Sequence, residues 1–238
     1  MDGGVPLVVP EVNADALDQH TGVIANPNCV AAILTMCVAP LRSLATIERL
    51  VVATYQSASG AGARAMEDLL VQTRASLAGQ PVVPAVLPHP YAFNLFSHDS
   101  PVEDNGYNGE ENKVMAETRK ILGDPALDIT ITCVRVPVLR AHTEIVNVTF
   151  DQPVSPDDAR HALASAPGVT VVDDPAKNRF PMPNEATGRD DVLVGRVRRD
   201  SSNPNGLNLM VCGDQLLKGA ALNAVQIAEA LHIAPQES

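Results

Sequence analysis

Strand-like and helix-like runs are intermixed along this chain, and toward its C-terminal end several strands follow one another closely. Ile47–Gln56, Asp128–Leu139, Thr143–Phe150, Val169–Val172, Val192–Arg198 and Leu207–Cys212 are rich in β-branched and aliphatic residues and have strand length. Short strands are also expected at Val5–Pro10 and Val23–Ala25. Helical patterns cover Cys29–Leu41, Ala63–Leu77, Glu110–Leu122 and Leu217–Leu231. A further helix opens at Ser155-Pro156-Asp157-Asp158, with Ser at the cap, Pro in the first turn and acids beside the positive helix end. This pattern predicts an α+β fold, a mixed β-sheet with helices packed on it. Residues 79–109, rich in Pro, Asn, Gly and Asp, form a long excursion of the kind that is often functional or interfacial.

Aliphatic residues must build the core, because hydrophobic residues make up 45% of the chain while aromatics are 3% and Trp is absent. The formal net charge of −11 argues against nucleic acid, whose phosphates need a basic surface. Apolar runs such as Val30–Leu34 fall far short of the ~20 residues of a membrane span. Met1-Asp2-Gly3-Gly4 has neither a basic region nor an apolar targeting stretch. Cys29, Cys37, Cys133 and Cys212 are widely spaced and form no Cys/His cluster. That spacing argues against a metal site or a disulfide framework and fits a reducing cytoplasm.

Among the cysteines, Cys29 has the most marked setting: it follows Ala25-Asn26-Pro27-Asn28 and precedes an apolar helical stretch. At a helix N-terminus the dipole favours thiolate, and nearby N–H groups suit an oxyanion. A buried structural cysteine is an equal alternative. His142 follows Arg135-Val136-Pro137-Val138-Leu139-Arg140-Ala141 at a strand edge, where it could be an acid/base with a pKa near working pH, although a lone His is more often structural. Arg135 and Arg140, five apart, face opposite sides of a strand, so only one can serve a site. Such an Arg could grip a carboxylate or form a surface ion pair. Glu110 and Lys113 share a helix face, as an ion pair or as substrate contacts. Ser59-Gly60-Ala61-Gly62, between a strand and a helix, could cradle a phosphate but lacks full dinucleotide-fold spacing. His20, His89, His98, His161 and His232 carry only surface or core expectations.

Taken in order, Asn26-Pro27-Asn28-Cys29, then Tyr55-Gln56-Ser57-Ala58-Ser59-Gly60-Ala61-Gly62, then Arg135-Val136-Pro137-Val138 with His142 resemble the motifs of aspartate-β-semialdehyde dehydrogenases. The resemblance extends over essentially the whole chain. It implies the C-terminal fold of the glyceraldehyde-3-phosphate dehydrogenase type and a homodimer, with excursion 79–109 and an apolar sheet face available for the interface. It also implies a reaction: NADPH-dependent reductive dephosphorylation of L-4-aspartyl phosphate to L-aspartate 4-semialdehyde through a Cys29 thioester, in the biosynthesis of Lys, Met, Thr and diaminopimelate. His142 resembles the acid/base, and Gln56 and Arg135 the substrate-orienting pair, with Arg135 on the α-carboxylate. Glu110 resembles the contact to the substrate amino group and Lys113 a phosphate-site residue. Ser59, Gly60 and Asn223 fall where the family touches NADP.

Residues 1–238 are then expected to form one catalytic and dimerisation domain, with 1–28 as lead-in strand and loop. The helix in 217–238 would pack on an NADP-binding half. Two departures stand out. The family begins with a Gly-rich dinucleotide-binding half of roughly 100 or more residues, and this sequence begins close upstream of Cys29. Val30 and Ala31 follow the cysteine, where the family usually has Thr or Ser. Three readings result: a fragment of a complete dehydrogenase, a shortened paralogue serving as a dimerisation module, or a related reductase of the N-acetylglutamyl-phosphate type. Gln56, Glu110 and Arg135 favour the aspartyl substrate over the third.

Overall fold

The computed structural model describes residues 4–233; residues 234–238 of the expected C-terminal helix and the side chain of His232 lie outside the described residues. Seven strands form one sheet: β1 (Ile47–Gln56), β2 (Phe96–Ser97), β3 (Asp128–Arg135), β4 (His142–Phe150), β5 (Val169–Val171), β6 (Val192–Arg199) and β7 (Gly206–Gly213). Their order is β2-β3-β1-β4-β7-β6-β5. β1 runs parallel to β3 and β5 to β6, while the other pairs are antiparallel, so the sheet is mixed as expected. The helices are α1 (Pro10–Asn13), α2 (Cys29–Val38), α3 (Ala63–Leu77), α4 (Gly109–Leu122), α5 (Pro156–Ala164), α6 (Pro183–Ala186) and α7 (Leu222–Ile233). Ser155 caps α5 by accepting from Asp158 N–H.

The expected strands at Val5–Pro10 and Val23–Ala25 reduce to a single bridge between Leu7 and Ala25. Pro10 cannot donate to a ladder, and it opens α1 instead. The C-terminal helix begins as a π-turn over Leu217–Ala221 before α7.

Residues facing α2 and α4 on the neighbouring strands β3, β1 and β4 change character along the sheet. On β1, Leu50 and Val52 give way to Thr54 and Gln56, all buried. On β3, Ile129, Ile131 and Cys133 give way to Arg135. β4 runs the other way, so His142 and Glu144 precede Val146, Val148 and Phe150. Because β3 is parallel and β4 antiparallel to β1, the polar ends of all three coincide. The apolar ends join buried α2 residues such as Ile33, Leu34 and Val38 in the main core.

β3 and β4 are successive in sequence but do not pair, since β1 lies between them. The segment joining them crosses the end of β1. There Val136 N–H donates to Gln56 O (3.1 Å), while Ala58 and Ser59 N–H donate to Val138 O (2.8 Å) and Leu139 O (3.0 Å). This crossing brings Arg135 and His142 to the end of β1 that carries Gln56.

The excursion 79–109 is fastened to α3 by two buried polar side chains. Asp68 Oδ2 accepts from Ala85 and Val86 N–H (3.2 and 3.1 Å) and from Gln72 Nε2 (2.9 Å). Gln72 Oε1 accepts from Tyr91 N–H (2.6 Å) and Ala92 N–H (3.4 Å). β2, inside the excursion, pairs with the edge of β3 and so reaches Arg135.

Candidate active site

Cys29 is the first residue of α2, and Asn28 caps the helix: its Oδ1 accepts from Val30 N–H (2.9 Å) and Ala31 N–H (3.4 Å). Those two donors are therefore engaged within the chain, contrary to the expectation that they hold an oxyanion. Asn28 also reaches α4, where its Nδ2 donates to Glu110 Oε1 (3.0 Å) and its backbone N–H to Glu117 Oε2 (2.5 Å). Gln56 Nε2 donates to the same Glu110 oxygen (3.0 Å). Glu110 thus joins the cysteine loop to the end of β1.

The Cys29 thiol differs from its sequence expectation. Burial pushes it up to about 12, and the carboxylates of Glu110 and Glu144 add to the shift, while Val30 N–H and Arg135 act the other way. Burial and two acids from other elements outweigh the helix end. Gly219, in the π-turn, passes directly over this residue: a Cβ on it would stand 2.7 Å from Cys29 Cβ. Val30 lies wholly in the core. Cys37, Cys133 and Cys212 are buried, as expected.

His142 is fully buried. Its Nδ1 accepts from Ser57 N–H (3.0 Å) and lies 3.0 Å from Ser57 Oγ. A backbone N–H can only donate, so the neutral ring carries its proton on Nε2. Nε2 has no hydrogen-bond partner among the described residues. Burial, then Arg135 and His98, lower the imidazole to about 3, well away from the working pH expected of it. His142 is therefore a neutral hydrogen-bond donor, and in this tautomer Nε2 cannot accept a thiol proton.

Arg135 donates from Nε to Asp99 Oδ1 (3.0 Å) and from Nη2 to His98 Nε2 (2.8 Å). A Cβ on Gly60 would lie 3.0 Å from His142 Nε2 and 3.6 Å from Arg135 Nη1. The missing side chain of Gly60 therefore leaves a space bordered by both groups. His98, for which the sequence carried only a surface or core expectation, belongs to the site. Its signal was a His-Asp pair inside a long excursion, with nothing local to link it to Arg135. Arg140 points elsewhere and pairs with Asp214 (2.7 Å).

Other expected site residues vary in placement. Lys113 has a half-exposed side chain 3.9 Å from Glu117, not paired with Glu110. Ser59 is buried, with its hydroxyl 3.1 Å from Ser57 Oγ and bonded to Gln215 Nε2. The turn holding Ser59 and Gly60 is no phosphate cradle: the N–H groups of Ala58, Ser59, Gly60 and Gly62 donate to Val138, Leu139, Ser57 and Ser59 carbonyls. Asn223 is buried and donates from Nδ2 to Val8 O (2.8 Å) and Asn26 Oδ1 (2.7 Å). Its own Oδ1 has no partner among the described residues. Glu144, two residues beyond His142, is fully buried, its two carboxyl oxygens have no partner among the described residues, and burial raises its carboxyl well above the usual range.

Residues 38–218 match the family described as semialdehyde dehydrogenase, dimerisation domain. The chain is 58% identical over 227 residues to the aspartate-semialdehyde dehydrogenase of Synechocystis sp., a match covering 95% of this chain and 67% of that protein. The chain belongs to the aspartate-semialdehyde dehydrogenase family. The aspartate-semialdehyde dehydrogenase II of Vibrio cholerae, solved in complex with ASA, superposes with a TM-score of 0.94 at 40% identity, covering 98% of this chain and 70% of that one. The aspartate-semialdehyde dehydrogenase of Candida albicans, solved with NADP, shares the fold at a TM-score of 0.72 and 24% identity, over 97% of this chain and 67% of that one.

Proposed function

We propose that residues 1–238 act as the catalytic and dimerisation domain of an aspartate-semialdehyde dehydrogenase. The reaction is the NADPH-dependent reductive dephosphorylation of L-4-aspartyl phosphate to L-aspartate 4-semialdehyde. The observation that carries this reading is the gathering of Cys29, Gln56, Glu110, Arg135 and His142 at one end of the sheet, in a chain so similar to proteins of that name.

Arg135 binds the α-carboxylate of the substrate and Glu110 its ammonium, so the two ends of the zwitterion meet opposite charges. Neutralising Glu110 also removes one of the acids that hold the Cys29 thiol up. The Cys29 sulfur then attacks the acyl carbon, a thioester bond forms and the acyl–phosphate bond breaks; the thiol proton ends on the released phosphate. The covalent intermediate divides one difficult displacement into two easier ones. His142 donates from Nε2 to the acyl oxygen as negative charge develops there. Gln56, held by Glu110 and Thr54, orients the acyl group. Lys113, at the exposed rim, is the nearby cation for the departing phosphate.

Asn223, Ser59 and Gly60 would hold NADPH, which when bound supplies the hydride for the thioester. The buried, unpartnered Asn223 Oδ1 fits that role as an acceptor for an amide N–H. A homodimer is expected through the sheet face opposite α2. There Tyr55, Val138, Ile145 and Met210 border an apolar depression of about 350 Å³. The four free cysteines fit a cytoplasmic setting.

The test is phosphate-dependent reduction of NADP by L-aspartate 4-semialdehyde, followed by absorbance. Turnover that disappears in Cys29→Ser is expected; turnover retained by that variant would refute the assignment.

A further inference from the structure

A site that binds a zwitterion must keep its own cation and anion apart. Arg135 and Glu110 both act on the Cys29 thiol, in opposite directions. A flexible Arg would fold onto a nearby carboxylate, and both substrate contacts would be lost together. Two residues of the excursion stand against this. Asp99 takes the Arg135 Nε donor at 3.0 Å, and His98 takes Nη2 at 2.8 Å. Nη1 is left facing the space under Gly60, alongside His142 Nε2.

Both ring nitrogens of His98 have polar neighbours. Its Nε2 stands 2.8 Å from Arg135 Nη2. Its Nδ1 accepts from the Ser100 N–H (3.2 Å) and lies 3.1 Å from Ser100 Oγ. Ser100 Oγ in turn accepts from Glu110 N–H (3.0 Å). A run of polar contacts therefore links the backbone of Glu110 through Ser100 and His98 to Arg135. It fixes the anionic and the cationic contact relative to each other.

We propose that His98 and Asp99 are positioning residues that aim Arg135 Nη1 at the substrate α-carboxylate and set the spacing between the Arg135 and Glu110 contacts, so that the site selects α-amino acid acyl phosphates. This rests on the reading above, in which Arg135 receives the carboxylate. His98 is uncharged in this role. Burial and Arg135 hold its imidazole below the ordinary value, against Glu110, Asp99 and Glu111, which pull it up.

The test is the rate of Cys29 acylation, followed by intact mass as a function of acyl phosphate concentration. Two probes are used: L-4-aspartyl phosphate and 3-aminopropanoyl phosphate, which lacks the α-carboxylate. In Asp99→Ala and His98→Leu the half-saturating concentration of the aspartyl compound should rise about tenfold to a hundredfold. The maximal rate and the reaction with 3-aminopropanoyl phosphate should be little changed. Asp99→Asn and His98→Gln, which keep an acceptor oxygen, should recover most of the loss. The double variant Asp99→Ala/Arg135→Ala should be no worse than Arg135→Ala alone. Equal losses on both probes would overturn the proposal, because they would mark a general structural role. If Arg135→Ala raised the half-saturating concentration while the Asp99 and His98 variants did not, the proposal would fall and the Arg135 reading would stand. No effect of Arg135→Ala, or no acylation of the unaltered chain, would overturn both.

Discussion

Cys29 and His142 are individually poor reagents as they stand. The thiol is held up by burial and two carboxylates, and the imidazole is held neutral. The local sequence around Cys29 showed the helix end but not Glu110 or Glu144, which reach it from α4 and β4. That is why the pKa expectation failed in sign while the position of the residue at the helix start was right. Glu144 offers a test of this environment. Its carboxyl keeps its proton in the folded chain above the pH at which the unfolded chain ionises. The folded state thus binds more protons, and stability falls as pH rises from about 4.5 toward the raised folded value. Replacing Glu144 by Gln should flatten that fall and raise Tm at pH 8 by about 2–4 °C, or roughly 1 kcal/mol. Thermal melts of both proteins at pH 5 and pH 8 check this. His142 works in the opposite direction: with its folded value at about 3, the unfolded chain takes up protons first as pH drops below about 6.5. Its contribution to stability is lost between those two values.

The regular elements were largely legible from hydrophobic pattern. β1 and α3 have the limits expected of them, and α4 differs by one residue at its start. The buried face of α3 was not. Helical periodicity puts Met66, Leu69, Leu70 and Thr73 on one side of the helix, whereas Ala65, Asp68, Leu69 and Gln72 are the buried residues. Periodicity counts apolar residues, and Asp68 and Gln72 are buried to satisfy backbone N–H groups of a remote segment. Gln72→Ala should leave those amides of Tyr91 and Ala92 without their acceptor, at a cost of about 1–3 kcal/mol. Hydrogen exchange should then quicken across the excursion, and Cys29 acylation should weaken because His98 and Asp99 sit there. Unchanged exchange would show that the excursion is held by other contacts. The crossing between β3 and β4 was equally hidden. Two strands joined by a short turn gave no hint that β1 separates them, and that separation is what unites Arg135, Gln56 and His142.

At the scale of the molecule, one sheet face carries the chemistry and the other carries an apolar depression bordered by Tyr55, Ile145 and Met210, with Tyr55 38% exposed. Aliphatic residues build most of the main core, with Phe150 buried among them. The open face should be covered by a second copy of the chain. Ile145→Arg, placed in that face, should shift the sedimenting species from dimer to monomer; an unaltered dimer would put the interface elsewhere. Val225 on α7 and Leu216 just before the π-turn are further exposed apolar residues. Each proposed step depends on the Cys29 sulfur as the atom that takes the acyl group. Mixing the protein with L-4-aspartyl phosphate in the absence of NADPH, then quenching in acid and mapping peptides, tests this directly. One aspartyl group on Cys29 for each phosphate released is the predicted result, and Cys29→Ser should show none. Phosphate release with no adduct on Cys29, or an adduct on another side chain, would contradict it.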